Sequence, residues 1–113
     1  MKIINQSKNT LLADKAVIAC TPLARMRGLL GRAELKLGEA LILKPCNSVH
    51  TFFMRFAIDV LFLDKNNRVN KIISVMKPFC ISGIYLRSHS AIELPAGMIK
   101  SSLTTQGDTL LLE

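Results

Sequence analysis

Cys46-Asn47-Ser48-Val49-His50-Thr51-Phe52-Phe53-Met54-Arg55-Phe56-Ala57-Ile58-Asp59-Val60-Leu61-Phe62-Leu63-Asp64 is the stretch on which the fold class turns. It holds four of the five Phe, one of the two His and one of the three Cys in the chain. A chain that concentrates scarce aromatics in one run is expected to build its core there. The density of Phe, Val, Ile and Thr favours extended backbone over helix. In a strand, successive side chains alternate faces. One face then carries Cys46, Ser48, His50, Phe52, Met54, Phe56, Ile58, Val60 and Phe62. That face is polar up to His50 and apolar from Phe52 onward, as for a strand entering a core from its rim. Strands usually run about 5–6 residues, so a bend or break is expected near Arg55–Ala57.

Working outward, Lys65-Asn66-Asn67 reads as a turn, and Arg68–Met76 as the returning hairpin strand. Short strands are also expected at Lys2–Asn5, Thr10–Ala13, Ala16–Ala19, Ala40–Leu43, Ala91–Leu94 and Thr109–Leu112. One helix signal stands out, near residues 21–31. Thr21 is suited to cap it, Pro22 to its first position, and Gly31 to its end. Leu23, Met26 and Leu30 form its apolar stripe, with Arg25, Arg27 and Arg32 off that stripe. Met98–Leu103 has room for one or two helical turns. Many short strands with one helix predict a mainly β protein, a compact β-barrel or sandwich, and not a βαβ fold.

The 113 residues fit a single domain, 1–113, since domains run from about 50 to 250 residues. Half the residues are hydrophobic, enough for a filled core. No apolar run reaches the ~18–20 residues of a membrane span. The first residues lack the apolar segment of a signal peptide, so the cytoplasm is the default location. Three Cys without CxxC spacing argue against a disulfide framework and a four-thiolate zinc site. The net charge of +7 is spread along the chain. With no helix-turn-helix, RNP or zinc-finger pattern, it reads as a solvated basic surface; nucleic-acid binding ranks third among the functions considered.

Several local patterns then combine. Arg27-Gly28-Leu29-Leu30-Gly31-Arg32 is followed by His50-Thr51-Phe52-Phe53-Met54-Arg55 and Ile58-Asp59-Val60-Leu61-Phe62-Leu63-Asp64, then Glu93-Leu94-Pro95-Ala96-Gly97 and Gly107-Asp108. In this order they resemble the domain-of-unknown-function 192 family, also called uncharacterised protein family 0127, over nearly the whole chain. The resemblance implies a compact jelly-roll-like β fold with a short helix. It implies no activity, because the family has none established. It singles out Arg27, Gly28, His50, Thr51, Met54, Asp59, Glu93, Pro95, Gly97, Gly107 and Asp108. The chain departs from the family at Phe53, where many members have Trp, and at Ala57, where many have Pro. Its segment between Met54 and Asp59 is shorter, and the export signal of many members is not seen.

Polar groups massed at the rim of an aromatic core are the usual composition of a small-ligand pocket. The expected cleft is lined by Cys46, His50, Thr51, Met54 and Asp59, with Arg27 and Glu93 on a second wall. The leading reading is a non-catalytic module binding a small molecule or a protein partner, with no cofactor. The alternative is a small enzyme or copper- or zinc-binding protein using Cys46, His50 and Met54. A thiolate beside imidazole is an activated nucleophile, and thiolate, thioether and imidazole suit Cu(I) or zinc. Four residues span about 13 Å of straight strand, so one ion reaches these three only if the chain bends. Asp59 and Glu93 are candidates for an acid–base pair, or for ion pairs with Arg27 or Arg55.

Overall fold

The computed structural model describes Met1–Glu113. Its strands are β1 (Ile3–Asn5), β2 (Thr10–Ala13), β3 (Lys15–Ala19), β4 (Glu39–Leu43), β5 (Ile58–Leu63), β6 (Val69–Met76), β7 (Ser90–Pro95) and β8 (Leu110–Leu112). The helices are α1 (Pro22–Arg27) and α2 (Met98–Ser101). The six expected short strands and the returning hairpin strand are present within a residue or two. The fold is mainly β and sandwich-like, with two short helices and no closed barrel.

A three-stranded sheet, β2-β1-β8, faces a five-stranded sheet, β3-β4-β7-β5-β6. Between them lies one apolar cluster that includes Leu12, Ile42, Leu61, Leu63, Ile92 and Leu94. A second cluster on the far face of the larger sheet includes Leu29, Val49, Met54, Ile58, Val60 and Phe62. All six residues of β5 are buried, because odd and even positions feed different clusters. Alternation therefore holds inside this strand, with both of its faces apolar except at Asp59.

The long opening stretch is a strand only from Ile58 onward. Residues 46–57 form an irregular covering layer with a lone bridge from His50 to Ile81. Thr51 secures that layer: its hydroxyl donates to the Lys77 carbonyl and accepts from the Cys80 amide at 2.9 Å. The Ser82 hydroxyl accepts the Val49 amide at 2.9 Å. These bonds give the layer the partners that a strand would find in a ladder. The Phe run is accordingly split. Phe62 is fully buried, whereas Phe53 is 77% exposed and packs edge-on against Phe79 at 5.6 Å.

β3 pairs with β4 in parallel, Lys15 opposite Glu39, so the chain between them crosses over and carries α1. One β–α–β unit is thus present where none was expected. Thr21 caps α1 as its sequence suggests, accepting the Ala24 amide at 3.1 Å with Pro22 at the first turn. The helix stops earlier, at Gly28, whose φ of 48° disfavours a side chain. No residue of α1 itself is buried. Leu23 and Met26 point to solvent, and the crossover is anchored beyond the helix by Leu29 and Leu35.

Candidate functional site

Between α1 with its following turn, the 46–54 layer and the face of the five-stranded sheet lies a cavity of about 510 Å³. Arg27, Cys46, His50, Met54 and Glu93 line it, five of the residues singled out from the sequence. Thr51 and Asp59 do not belong to the lining.

Glu93 lies in the middle of the sheet, opposite Leu41 on β4 and Val60 on β5. It shares a face with Ala91, whose side chain is part of the second cluster. Its side chain is almost fully buried, and Oε2 has no hydrogen-bond partner. Burial pushes the Glu93 carboxyl up to about 7, because the low-dielectric surroundings disfavour its charged form. From the opposite wall, Arg25 donates through Nη1 to the Pro45 carbonyl at 3.1 Å. Its Nε is buried and has no partner. Arg25 Nε and Glu93 Oε2 are the two buried side-chain polar atoms left without a partner, and both residues line this cavity.

The sequence does not point to Arg25, because the spacing of Leu23, Met26 and Leu30 marks a different side of the helix as inward. The inward side is set instead by Leu29, which is 3% exposed. Leu29 lies past Gly28, where the backbone has left the helix, so no helical spacing in the sequence marks Arg25 as inward.

Cys46 is half-buried, and its thiol donates to the Ser48 carbonyl at 3.1 Å. Burial pushes the thiol above its ordinary value. His50 is engaged elsewhere, with its Nδ1 accepting the Phe52 amide at 3.2 Å and its ring stacked on Phe52. The hydrogen-bonded Cys–His pair of an activated nucleophile is not formed. No group of three His, Cys, Asp or Glu side chains is placed to hold one metal ion. Thiol alkylation at neutral pH checks the state of Cys46. The exposed Cys20 and Cys80 are expected to react at least about tenfold faster than Cys46, since the thiolate is the reactive form. Alkylation of Cys46 ahead of the other two, followed by peptide mass spectrometry, would contradict its burial and raised value.

Asp59 faces the other way. Adjacent to Glu93 across the β5–β7 pairing but on the opposite face, it cannot form an acid–base pair with it. Its carboxylate accepts the amides of Val75 (2.8 Å), Gly97 (3.1 Å) and Ile99 (2.8 Å), with no arginine involved. Gly97 and Ile99 are the first amides of α2, which has no side-chain cap of its own. Asp59 is thus a cap supplied from a neighbouring strand. Val75 lies in a bulge where Ser74 and Val75 oppose Asp59, at a φ of 53° that is rare for a branched residue.

A family model describing the DUF192 family (Uncharacterized ACR) matches residues 3–112. The chain belongs to the DUF192 family. A UPF0127 protein of Pyrococcus horikoshii is 34% identical over 111 residues, covering 96% of each chain. A second, from Thermococcus kodakarensis, is 30% identical over 115 residues, 96% of this chain and 71% of the relative. Among solved structures, a protein of unknown function from Novosphingobium aromaticivorans superposes with a TM-score of 0.80 at 18% identity, covering 98% of this chain and 82% of that one. A proposed transcription regulator from Sinorhizobium meliloti gives 0.83 at 19%, covering 97% and 89%. These two likenesses concern the fold alone. In this DUF192 protein the motif residues therefore divide by position: Arg27, His50, Met54 and Glu93 surround the cavity, while Thr51, Asp59 and Asp108 hold the chain together. Asp108 accepts from Asn5 at 2.9 Å and pairs with Lys8 at 2.9 Å. No helix is long and apolar enough to cross a membrane.

Proposed function

We propose that this protein is a non-catalytic binding module that holds a small polar ligand in the cavity between α1 and the five-stranded sheet. The observation that carries this is the pair of unpartnered buried atoms, Arg25 Nε and Glu93 Oε2, on the walls of one cavity. A buried polar group without a partner costs about 1–3 kcal/mol, more when charged. Two such groups opening onto one space are rational if a ligand completes them. The cavity volume of about 510 Å³ lies within the usual range for small-molecule sites, about 300–1,000 Å³. Met54, Val49 and Leu29 supply apolar wall, and Arg27, Cys46 and His50 supply polar rim. Binding is favoured over catalysis because the thiol of Cys46 is held protonated and His50 is engaged with Phe52.

The test is a fragment screen of polar compounds followed by amide chemical-shift mapping on 15N-labelled protein. Binders are expected to move the amides of Arg25, Cys46, Val49 and Glu93 together. A screen with no binders, or with shifts confined to surfaces away from these residues, would refute the cavity as the site.

A further inference from the structure

We infer that the ligand is a small zwitterion, an amino acid or a dipeptide, with its ammonium on Glu93 and its carboxylate on Arg25. This rests on the cavity reading above and assigns its chemistry.

The two unpartnered atoms are opposite in kind. Glu93 Oε2 is an acceptor on an ionisable acid, and Arg25 Nε is a donor on a permanent cation. A neutral ligand would satisfy either as a simple hydrogen bond but would leave the cost of burying each charge uncompensated. A ligand carrying only an ammonium would leave Arg25 open, and one carrying only a carboxylate would meet Glu93 with no counter-charge. A molecule bearing both groups completes both walls at once.

The placement sets the orientation. Glu93 belongs to a central strand of the sheet and is 4% exposed, so the ammonium goes to the floor. Arg25 lies on α1, half-buried, and its guanidinium is already braced by the Pro45 carbonyl. A fixed guanidinium is a good receptor for a carboxylate. Between the two ends, Met54, Val49 and Leu29 offer an apolar surface for the rest of the ligand. The other charged or titratable groups around the cavity are Arg27 on α1, Cys46 and His50 on the covering layer, and His89 before β7. None of them is hydrogen-bonded to Glu93.

The pairing carries a pH signature. A protonated Glu93 must release its proton to receive an ammonium, so binding weakens as the solution becomes acid. Glu93→Gln isolates this contribution from that of every other group around the cavity. The variant keeps the shape of the side chain and removes its titration.

The experiment is isothermal titration at pH 8 with each of the twenty standard amino acids and a few dipeptides. The tightest binder is then compared with its deaminated and decarboxylated analogues. At least one zwitterion is expected to bind, and each analogue to bind at least about tenfold more weakly. Glu93→Gln and Arg25→Gln are each expected to weaken binding by a similar factor, while Asp64→Asn, in an exposed turn, leaves it unchanged. Affinity for the wild type is expected to fall about fivefold from pH 7 to pH 6, and the fall is expected to vanish in Glu93→Gln. Equal binding of either analogue, or a pH dependence that survives Glu93→Gln, overturns the assignment. Silence from every zwitterion overturns it too. If fragments still map to the cavity in that case, the cavity reading stands without this ligand class; if they do not, both readings fall.

Discussion

Asp59→Asn is expected to lower the free energy of unfolding by about 3–4 kcal/mol, a large part of the stability of a domain this size. The carboxylate accepts three backbone amides in a fully buried position. An amide side chain has one oxygen to offer and turns an NH2 toward at least one of the donors it should receive. Two elements lose their support together: the start of α2 and the bulge that holds Val75. Urea unfolding followed by circular dichroism measures the change through the midpoint at constant slope. Asp64→Asn is the control, since that carboxylate also accepts backbone amides, from Asn66 and Arg68, but in an exposed turn. It is expected to cost under about 1 kcal/mol. Equal effects at the two positions would refute the account given for Asp59.

The second large effect concerns Glu93 and depends on pH. Its carboxyl has a value of about 7 in the folded protein against an ordinary 4.5. Between those values the folded chain holds a proton that the unfolded chain has released. Stability therefore falls as pH rises from 4.5 to about 7 and is level above that. The loss is about 3 kcal/mol in the protein without ligand. Glu93→Gln never acquires the buried charge, so it is expected to match the wild type near pH 4.5 and to exceed it by about 3 kcal/mol at pH 8. Asp108 does not confuse the comparison, because its hydrogen bonds with Asn5, Lys8 and Thr105 hold it down to about 2, below this window. Parallel stability curves for the two proteins from pH 4.5 to 8 would show that burial does not raise Glu93.

What is legible in the sequence follows from the range over which each determinant acts. The strands announce themselves through short apolar runs bounded by Asn, Asp, Gly and Pro, and all of those signals are local. Thr21 and Pro22 mark the start of α1 for the same reason. The 46–57 segment reads as strand, and is not one, because Phe, Val and Thr mark extended backbone without saying what pairs with it. Its partners, the groups of Lys77, Cys80 and Ser82, lie about thirty positions away. The six residues of α1 are fewer than two turns, too short for spacing alone to fix a stripe. The parallel pairing of β3 with β4 leaves no mark in either strand. At the cavity, Glu93 is visible as a charge inside an apolar strand, whereas Arg25 looks like any surface arginine. Asp59 is visible by the same logic as Glu93, yet strand parity puts the two on opposite faces, and only the pairing register reveals that they serve different ends.

The bulge at Ser74–Val75 has a bearing on how copies of this protein treat one another. β6 is the outermost strand of the larger sheet. Its first residues are occupied on the outer side by the chain leading into β8, through Val69 to Asp108 at 2.8 Å and Gly107 to Val69 at 2.8 Å. The remaining length is an open row of amides and carbonyls, the kind of template on which a second molecule can add a strand. The bulge falls within that open part and breaks its regular spacing, and Lys71 on the strand and Lys77 just past its end add like charges. The Asp59 carboxylate, buried on the neighbouring strand, fixes the Val75 amide and so holds in place the irregularity that interrupts this template.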